Sequence, residues 1–188
     1  MILYLHGFAS CGASMKTKLL KAYFGKDEVL APDLPVDPVE AILFIKKLII
    51  EHDIDLIIGS SLGGFYASYF CELLDIKVVL INPSTQPFIT LAPFVGPNKH
   101  WCNNKPFEFT KEHLKSLFEF SIGTSKNPSR YFILLQKGDE FLNYTKAQNK
   151  YEGANIVVQE GGNHRFENID EYLEQIKGFR DNAENNNL

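Results

Sequence analysis

The sequence predicts an α/β fold built on one mostly parallel sheet of about six strands, with helices on both faces. Short apolar runs alternate with longer helix-like segments along most of the chain, which is typical of successive βαβ units. Each run is continuously apolar rather than alternating with polar residues, as expected for strands that are covered on both faces. The length of 188 residues suffices for one domain, which we expect to span residues 1–180.

The apolar runs and the helical periodicity between them place the individual elements. Strands are expected at residues 2–5, 28–30, 56–58, 77–81, 131–135 and 155–158. Helices are expected at about 13–24, 38–52, 63–74, 144–151 and 169–179. The polar tail at residues 181–188 is expected to be disordered, because it has almost no apolar surface to bury.

Residues 84–128 interrupt this alternation. Pro, Phe and Asn are frequent in this segment, so no strand is expected there, and one helix is expected at about 110–120. Insertions of this size between strands are usually functional or disordered, and the aromatic residues argue against disorder. We interpret the segment as a small lid or pocket wall, with Trp101 as a candidate pocket residue.

Composition excludes several classes of protein. Hydrophobic residues make up 45% and charged residues 22% of the chain, which is the balance of a soluble globular protein. The net charge of −4 argues against nucleic acid as a partner. No signal peptide is recognised, and no apolar stretch reaches the ~20 residues of a membrane span. Cys11, Cys71 and Cys102 lack the spacing of a zinc site, so we expect reduced thiols in a cytoplasmic protein without a metal.

The strongest chemical signal is the run Gly59-Ser60-Ser61-Leu62-Gly63, between an expected strand and an expected helix. It fits the G-x-S-x-G nucleophile elbow, in which a tight turn exposes a serine hydroxyl above the sheet. Ser61 is favoured over Ser60 because only Ser61 has glycine two residues before and two residues after it. The run therefore indicates an α/β-hydrolase fold with Ser61 as nucleophile; the alternative is a glycine-rich packing turn.

A serine nucleophile needs a base, and the base needs a carboxylate that orients it. In this fold the chain order is serine, acid, histidine. His164 follows two glycines in the loop after the last expected strand, and we predict it to be the base. Asp139 follows the strand at 131–135 in a Gly-Asp turn and is the predicted acid, with Glu140 as its rival.

Two backbone N–H groups are predicted to form an oxyanion hole. The N–H of Leu62 lies at the start of the helix that follows Ser61. The second donor should come from the loop after the first strand, where Gly7 permits close approach and Phe8 follows it. Phe8 is also a candidate pocket residue, whereas we expect His6 to be a hydrogen-bonded structural residue beneath the site.

Together these motifs resemble those of the YqiA-like bacterial esterases. The segments that carry the resemblance are His6-Gly7-Phe8, Gly59-Ser60-Ser61-Leu62-Gly63-Gly64-Phe65-Tyr66-Ala67, Asn82-Pro83, Gly138-Asp139-Glu140 and Gly161-Gly162-Asn163-His164. The resemblance extends to about Phe179. It implies a compact α/β-hydrolase, a cytoplasmic esterase that acts on carboxylic or thioester acyl groups, with Ser61, Asp139 and His164 as its triad.

The sequence-based hypothesis is therefore hydrolysis of a small-molecule acyl ester or thioester through an acyl-enzyme, without metal or organic cofactor. An amidase or peptidase would use the same triad, so the leaving group stays open. A non-catalytic ligand-binding protein with this fold is the other alternative. The acyl chain, the physiological substrate and the oligomeric state are left open by the sequence.

Overall fold

The computed structural model describes residues 1–182. Its strands are β1 (Ile2–Leu5), β2 (Val29–Leu30), β3 (Leu56–Ser60), β4 (Lys77–Ile81), β5 (Gly96–Lys99), β6 (Pro106–Phe109), β7 (Tyr131–Gln136) and β8 (Asn155–Gln159). Its α-helices are α1 (Met15–Phe24), α2 (Pro38–Glu51), α3 (Leu62–Leu74), α4 (Pro87–Thr90), α5 (Lys111–Glu119), α6 (Tyr144–Lys150) and α7 (Leu173–Asp181).

Six of these strands form one parallel sheet in the order β2-β1-β3-β4-β7-β8. This confirms the predicted α/β fold class and the six expected strands. The side chains of each strand alternate between two buried clusters, because successive residues of a strand point to opposite faces of the sheet. Leu3 and Leu5 pack in the cluster that also contains residues of α2 and α3, whereas Ile2 and Tyr4 pack in the cluster with residues of α1 and α7.

The strand order creates a binding position beyond the carboxyl ends of the neighbouring strands β1 and β3. The chain leaves β1 toward β2 on one side and then returns to place β3 on the other side of β1. In open α/β sheets, ligands bind beyond the carboxyl ends of strands where the order reverses in this way. The loop after β1 and the loop after β3 meet at this position.

The expectation that residues 84–128 contain no strand is wrong. Strands β5 and β6 form an antiparallel hairpin, in which Asn98 pairs with Phe107. Gly, Pro and Asn are depleted in strands, so the composition of β5 argues against a strand, and the pairing depends on contacts distant in sequence. The Phe107 and Phe109 rings lie 5.6 and 5.0 Å from that of Phe8, and the Trp101 N–H donates to the Ala9 carbonyl at 2.8 Å. The hairpin is therefore fixed against the loop after β1.

The tail at residues 181–188 is predicted to be disordered. Asp181 is instead helical, as the last residue of α7, and residues 183–188 lie outside the described residues. No helix within residues 1–182 combines the length and the apolar character needed to cross a membrane.

Candidate active site

Ser61 lies on a sharp turn between β3 and α3, with φ 54° and ψ −117°. The turn packs so tightly that its flanking glycines cannot be replaced without displacing backbone. A Cβ on Gly59 would lie 2.3 Å from the Gly63 carbonyl oxygen, and a Cβ on Gly63 would lie 2.1 Å from the Leu5 carbonyl oxygen. The Ser61 N–H donates to the Ile81 carbonyl at 3.0 Å, which ties the turn to β4.

The structure brings Ser61, His164 and Asp139 together in one hydrogen-bonded chain. Ser61 Oγ lies 3.0 Å from His164 Nε2, and His164 Nδ1 lies 2.8 Å from Asp139 Oδ2. The Asp139 side chain is 2% exposed and that of His164 16% exposed. Because a carboxylate only accepts hydrogen bonds, Nδ1 carries the proton, and Nε2 is free to accept the Ser61 hydroxyl proton.

The two neighbouring carboxylates after β7 have different positions. Asp139 Oδ1 accepts the N–H groups of Phe141 and Leu142 at 2.9 and 2.8 Å, so both of its oxygens have partners. Glu140 instead accepts the backbone N–H of His164 at 2.9 Å. This hydrogen bond lowers the pKa of the Glu140 carboxyl below its ordinary value. Glu140 therefore contacts the backbone of the histidine loop, whereas Asp139 is the carboxylate that binds the imidazole.

The histidine loop is held by the buried amide of Gln136, the last residue of β7. Gln136 Oε1 accepts the Asn163 N–H at 2.9 Å, and Nε2 donates to Gln159 Oε1 at 2.8 Å and to Asn168 Oδ1 at 2.7 Å. Gly162 (φ 74°) packs directly on this side chain: a Cβ there would lie 2.2 Å from Gln136 Cδ. Gln136 is not among the site residues predicted from the sequence, although a polar residue that ends an apolar strand beside the predicted acid was a usable signal.

A second buried amide joins β4 to the same loop. Asn82 Nδ2 donates to the carbonyls of Asn163 and His164 at 3.1 and 3.3 Å, and Oδ1 accepts the Gln136 N–H at 2.9 Å. Asn82 is 2% exposed and has φ 40°, a conformation that asparagine tolerates better than most residues. The ends of β4 and β7 thus fix the backbone on which His164 is carried.

The two predicted oxyanion donors belong to the segments that flank the Ser61 side chain: Leu62 follows Ser61, and Phe8 follows Gly7 in the loop after β1. A Cβ on Gly7 would lie 3.1 Å from Ser61 Cβ and 3.6 Å from Ser61 Oγ, so the loop after β1 lies against the serine side chain. Within residues 1–182, the N–H groups of Phe8 and Leu62 donate to no protein acceptor. Unpaired backbone N–H groups are rare in folded proteins unless they serve a ligand or water.

His6 is hydrogen-bonded within the protein, as expected for a structural residue. Its Nε2 accepts the Leu34 N–H at 3.0 Å, so its Nδ1 carries the proton and donates to the Gly7 carbonyl at 2.8 Å. Burial lowers the pKa of His6, which favours the neutral ring. The hydrogen bond from Nδ1 to the Gly7 carbonyl holds the Gly7 loop in place.

A cavity of about 760 Å³ opens beside Ser61 and His164. Its apolar lining includes Phe8, Leu62, Leu91, Phe94, Trp101 and Phe141. Both predicted pocket residues, Phe8 and Trp101, therefore line it, and the Trp101 side chain remains 70% exposed. The volume is within the range typical of small-molecule sites.

Solved structures share this fold at low sequence identity. Alpha/beta hydrolase domain-containing protein 10 from mouse superposes with a TM-score of 0.73 at 12% identity, over 96% of this chain and 89% of that protein. Est1E from Butyrivibrio proteoclasticus, solved with ferulic acid bound, gives a TM-score of 0.70 at 13% identity, over 95% and 88% of the two chains. These similarities confirm the predicted α/β-hydrolase fold.

Sequence comparison identifies the family. A UPF0227 protein of Vibrio parahaemolyticus is 29% identical over 188 aligned residues, which cover 96% of this chain and 99% of that protein. The model of the family described as "Uncharacterised protein family (UPF0227)" matches residues 1–181. The family relationship predicted from the motifs is thereby confirmed: the chain belongs to the UPF0227 family.

Proposed function

We propose that this protein is a serine hydrolase that cleaves small-molecule carboxylic esters or thioesters through an acyl-enzyme on Ser61. The observation that carries this proposal is the hydrogen-bonded chain from Ser61 Oγ to His164 Nε2 (3.0 Å) and from His164 Nδ1 to Asp139 Oδ2 (2.8 Å). A positioned base and an orienting carboxylate are what a serine hydroxyl needs to act as a nucleophile at neutral pH.

In the proposed acylation step, Ser61 Oγ attacks the substrate carbonyl carbon while His164 Nε2 takes the hydroxyl proton. The charged imidazolium is stabilised by the buried Asp139 carboxylate, which stays ionised. Collapse of the tetrahedral intermediate breaks the bond to the alcohol or thiol, and the His164 proton passes to that leaving group. Water then repeats the sequence on the acyl-enzyme and releases the carboxylic acid.

The negative oxygen of each tetrahedral intermediate would be bound by the N–H groups of Leu62 and Phe8. Both groups lack a protein acceptor within residues 1–182, and the Gly7 loop lies against Ser61. Loss of one such donor typically reduces the rate by about 10²–10³-fold.

The insertion at residues 84–128 would form one wall of the substrate cavity. Leu91, Phe94 and Trp101 of this segment line the cavity beside Phe8, and the hairpin is fixed to the loop after β1. The apolar lining suits the acyl chain of an ester. Est1E, which has the same fold, was solved with ferulic acid, a carboxylic acid of the kind that ester hydrolysis releases.

The proposal is tested by hydrolysis of p-nitrophenyl esters with acyl chains of two to eight carbons. The wild type is expected to turn over at least one ester, and Ser61→Ala should reduce kcat by about 10³-fold or more. Ser60→Ala is the matched control: it removes a hydroxyl from the adjacent, buried position and should leave most of the activity.

Two other outcomes would change the assignment. Faster hydrolysis of a matched p-nitroanilide than of the ester would favour an amidase. Absence of turnover on every ester and anilide, with a folded wild type, would contradict the enzyme proposal and favour a ligand-binding protein.

A further inference from the structure

A lysine lines the same cavity as the proposed nucleophile. Lys16, in the first turn of α1, is half-buried, and its ammonium group donates a hydrogen bond to the Arg165 carbonyl. Within residues 1–182 it forms no ion pair with a carboxylate. Burial lowers the pKa of Lys16 to about 8, an effect that the attraction of the nearby Glu167 carboxylate offsets only in part.

The charged side chains that line the cavity carry a net positive charge. Arg165 and Glu167, which follow the histidine, line the cavity together with Lys16. Neither the Arg165 nor the Glu167 side chain forms a hydrogen bond or a direct ion pair within the described part of the chain, although both act on Lys16 electrostatically. Two cations and one carboxylate leave one positive charge in a cavity that is otherwise mainly apolar.

We propose that the substrate of this hydrolase carries a carboxylate and that Lys16, with Arg165, binds it. A carboxylate suits this position because its single charge balances the surplus. It would also accept the ammonium hydrogens that Lys16 leaves unused, and charge-assisted hydrogen bonds of this kind are the stronger ones. This inference rests on the proposed esterase function and adds a substrate class to it.

The test compares esters that differ only in a terminal carboxylate. Mono-p-nitrophenyl adipate and p-nitrophenyl hexanoate place the difference on the acyl group. The acetyl esters of 4-hydroxybenzoic acid and of methyl 4-hydroxybenzoate place it on the leaving group. We expect the wild type to favour the anionic member of at least one pair by about tenfold in kcat/KM.

Variants then assign the preference to Lys16. Lys16→Met should reduce the preference strongly, leaving only the contribution of Arg165, and Lys16→Arg, which keeps the charge, should retain it. Glu167→Gln removes the carboxylate of the cavity and should raise the preference. Lys18→Met on the same helix is the matched control, since it removes an exposed lysine that does not line the cavity and should leave the ratio unchanged.

The preference should also depend on pH in a predictable direction. The ammonium of Lys16 is lost as the pH rises through its pKa of about 8, so the wild-type ratio should fall between pH 7 and pH 9. Arg165 and Glu167 are the charged groups that act on Lys16, and the ratio of the two esters cancels changes in the catalytic residues that both esters share. The Lys16→Arg ratio should stay constant.

The outcomes separate this inference from the proposed function. If the wild type hydrolyses the neutral esters and shows no preference in either pair, the inference is wrong and the esterase assignment stands. A preference of undiminished size in Lys16→Met would also overturn it. If the wild type hydrolyses neither member of any pair, both the inference and the proposed function are contradicted.

Discussion

The backbone of Ser61 occupies a conformation that is costly for a residue with a side chain. Positive φ values outside glycine cost about 1–3 kcal/mol and persist only where the surroundings enforce them. Here the Ser61 N–H donates to Ile81, and its carbonyl accepts from Gly64 and Ser84, each at 3.0 Å. These contacts on both sides hold the turn, so the hydroxyl is presented to His164 without rearrangement.

At the same scale, Asp139→Asn tests the role assigned to the buried carboxylate. An amide of the same shape can donate its NH₂ to His164 Nδ1, which would place the imidazole proton on Nε2, where it cannot accept from Ser61. We expect kcat to fall by about 10³–10⁴-fold with little loss of folding, measured with the best p-nitrophenyl ester and by circular dichroism.

Glu140→Gln is the control for this prediction. Its side chain keeps an oxygen that can accept the His164 N–H, so most of the activity should remain. If Glu140→Gln loses as much activity as Asp139→Asn, the two carboxylates do not have the separate roles described above.

Among the elements, the loop after β8, which carries His164, is held in position by side chains at the ends of β4 and β7. Gln136 and Asn82 bind the backbone of residues 163–164, and Gly138 and Gly162 allow the two loops to pack closely. The loop has no helix or strand of its own to fix His164. Its precision therefore comes from the amides at the ends of β4 and β7.

Gln136→Met tests this dependence, because it keeps the volume of the side chain and removes all of its hydrogen bonds. The partly buried Asn163 N–H loses its acceptor, and the amide partners of Gln136 lose its donors, so we expect the free energy of unfolding to fall by about 2–3 kcal/mol. The value of kcat should fall as well, since His164 is less well positioned. Urea unfolding and ester kinetics measure the two effects.

Lys137→Met provides a neighbouring control. Lys137 pairs with the exposed Glu160, and such surface pairs contribute about 0–1 kcal/mol. A Gln136→Met protein with the stability and kcat of Lys137→Met would refute the role given to the buried amide.

The hairpin formed by β5 and β6 in the insertion could not be predicted from the sequence. The six sheet strands were predictable because burial on both faces makes them continuously apolar. Strand β5 (Gly96–Lys99) has no such pattern, and its pairing with β6 is set by packing of Phe107 and Phe109 on Phe8. Only the alternation of Phe107 and Phe109 within β6 carried a local strand signal.

Trp101→Ala tests the hairpin as a wall of the cavity. Trp101 is 70% exposed, so its removal should change the stability by less than about 0.5 kcal/mol. We expect KM for octanoyl and hexanoyl esters to rise several-fold more than KM for the acetyl ester, because long chains lose apolar contact area. Phe118→Ala, which removes another exposed aromatic residue outside the cavity, should leave this chain-length profile of KM unchanged. An unchanged profile in Trp101→Ala would contradict the assignment of the hairpin as a wall of the cavity.

At the scale of the whole molecule, strand order determines which residues meet. The sequence predicted the fold class and the three residues that form the hydrogen-bonded chain, because the motifs follow strands in a known chain order. It did not predict Gln136 as a site residue or the place of Lys16 in the cavity. The place of Lys16 depends on which distant segments pack together, and no local pattern encodes that. For Gln136 the one local signal is a polar residue at the end of an apolar strand, beside the predicted acid.

Arg180 links the last helix to the start of the sheet and should make stability depend on pH. Its guanidinium forms two hydrogen bonds with Asp55, at 2.9 and 2.7 Å. Partial burial raises the pKa of Asp55, but the bonds from Arg180 and the N-terminal amine outweigh it and lower that pKa below 3.8. A lowered carboxyl pKa contributes stability above the unfolded-state value, and this contribution is lost as the pH falls through the folded-state pKa.

We therefore expect Arg180→Gln to reduce the free energy of unfolding by about 1 kcal/mol at pH 7, since Asp55 is half exposed. The difference from the wild type should shrink at pH 3. Urea unfolding at both pH values measures it, and Lys177→Gln, which breaks an exposed pair on the same helix, is the control. A difference that is equal at both pH values would show that the ion pair is not its source.

Covalent labelling of the resting protein with a fluorophosphonate, followed by intact-mass and peptide mass spectrometry, tests directly whether Ser61 is the nucleophile. We expect one adduct per chain, located on Ser61 and absent from Ser61→Ala. We also expect slower labelling of His164→Ala, because the base is missing. An adduct on Ser60 or on another residue, or no adduct on the folded wild type, would contradict the assignment of Ser61 as nucleophile.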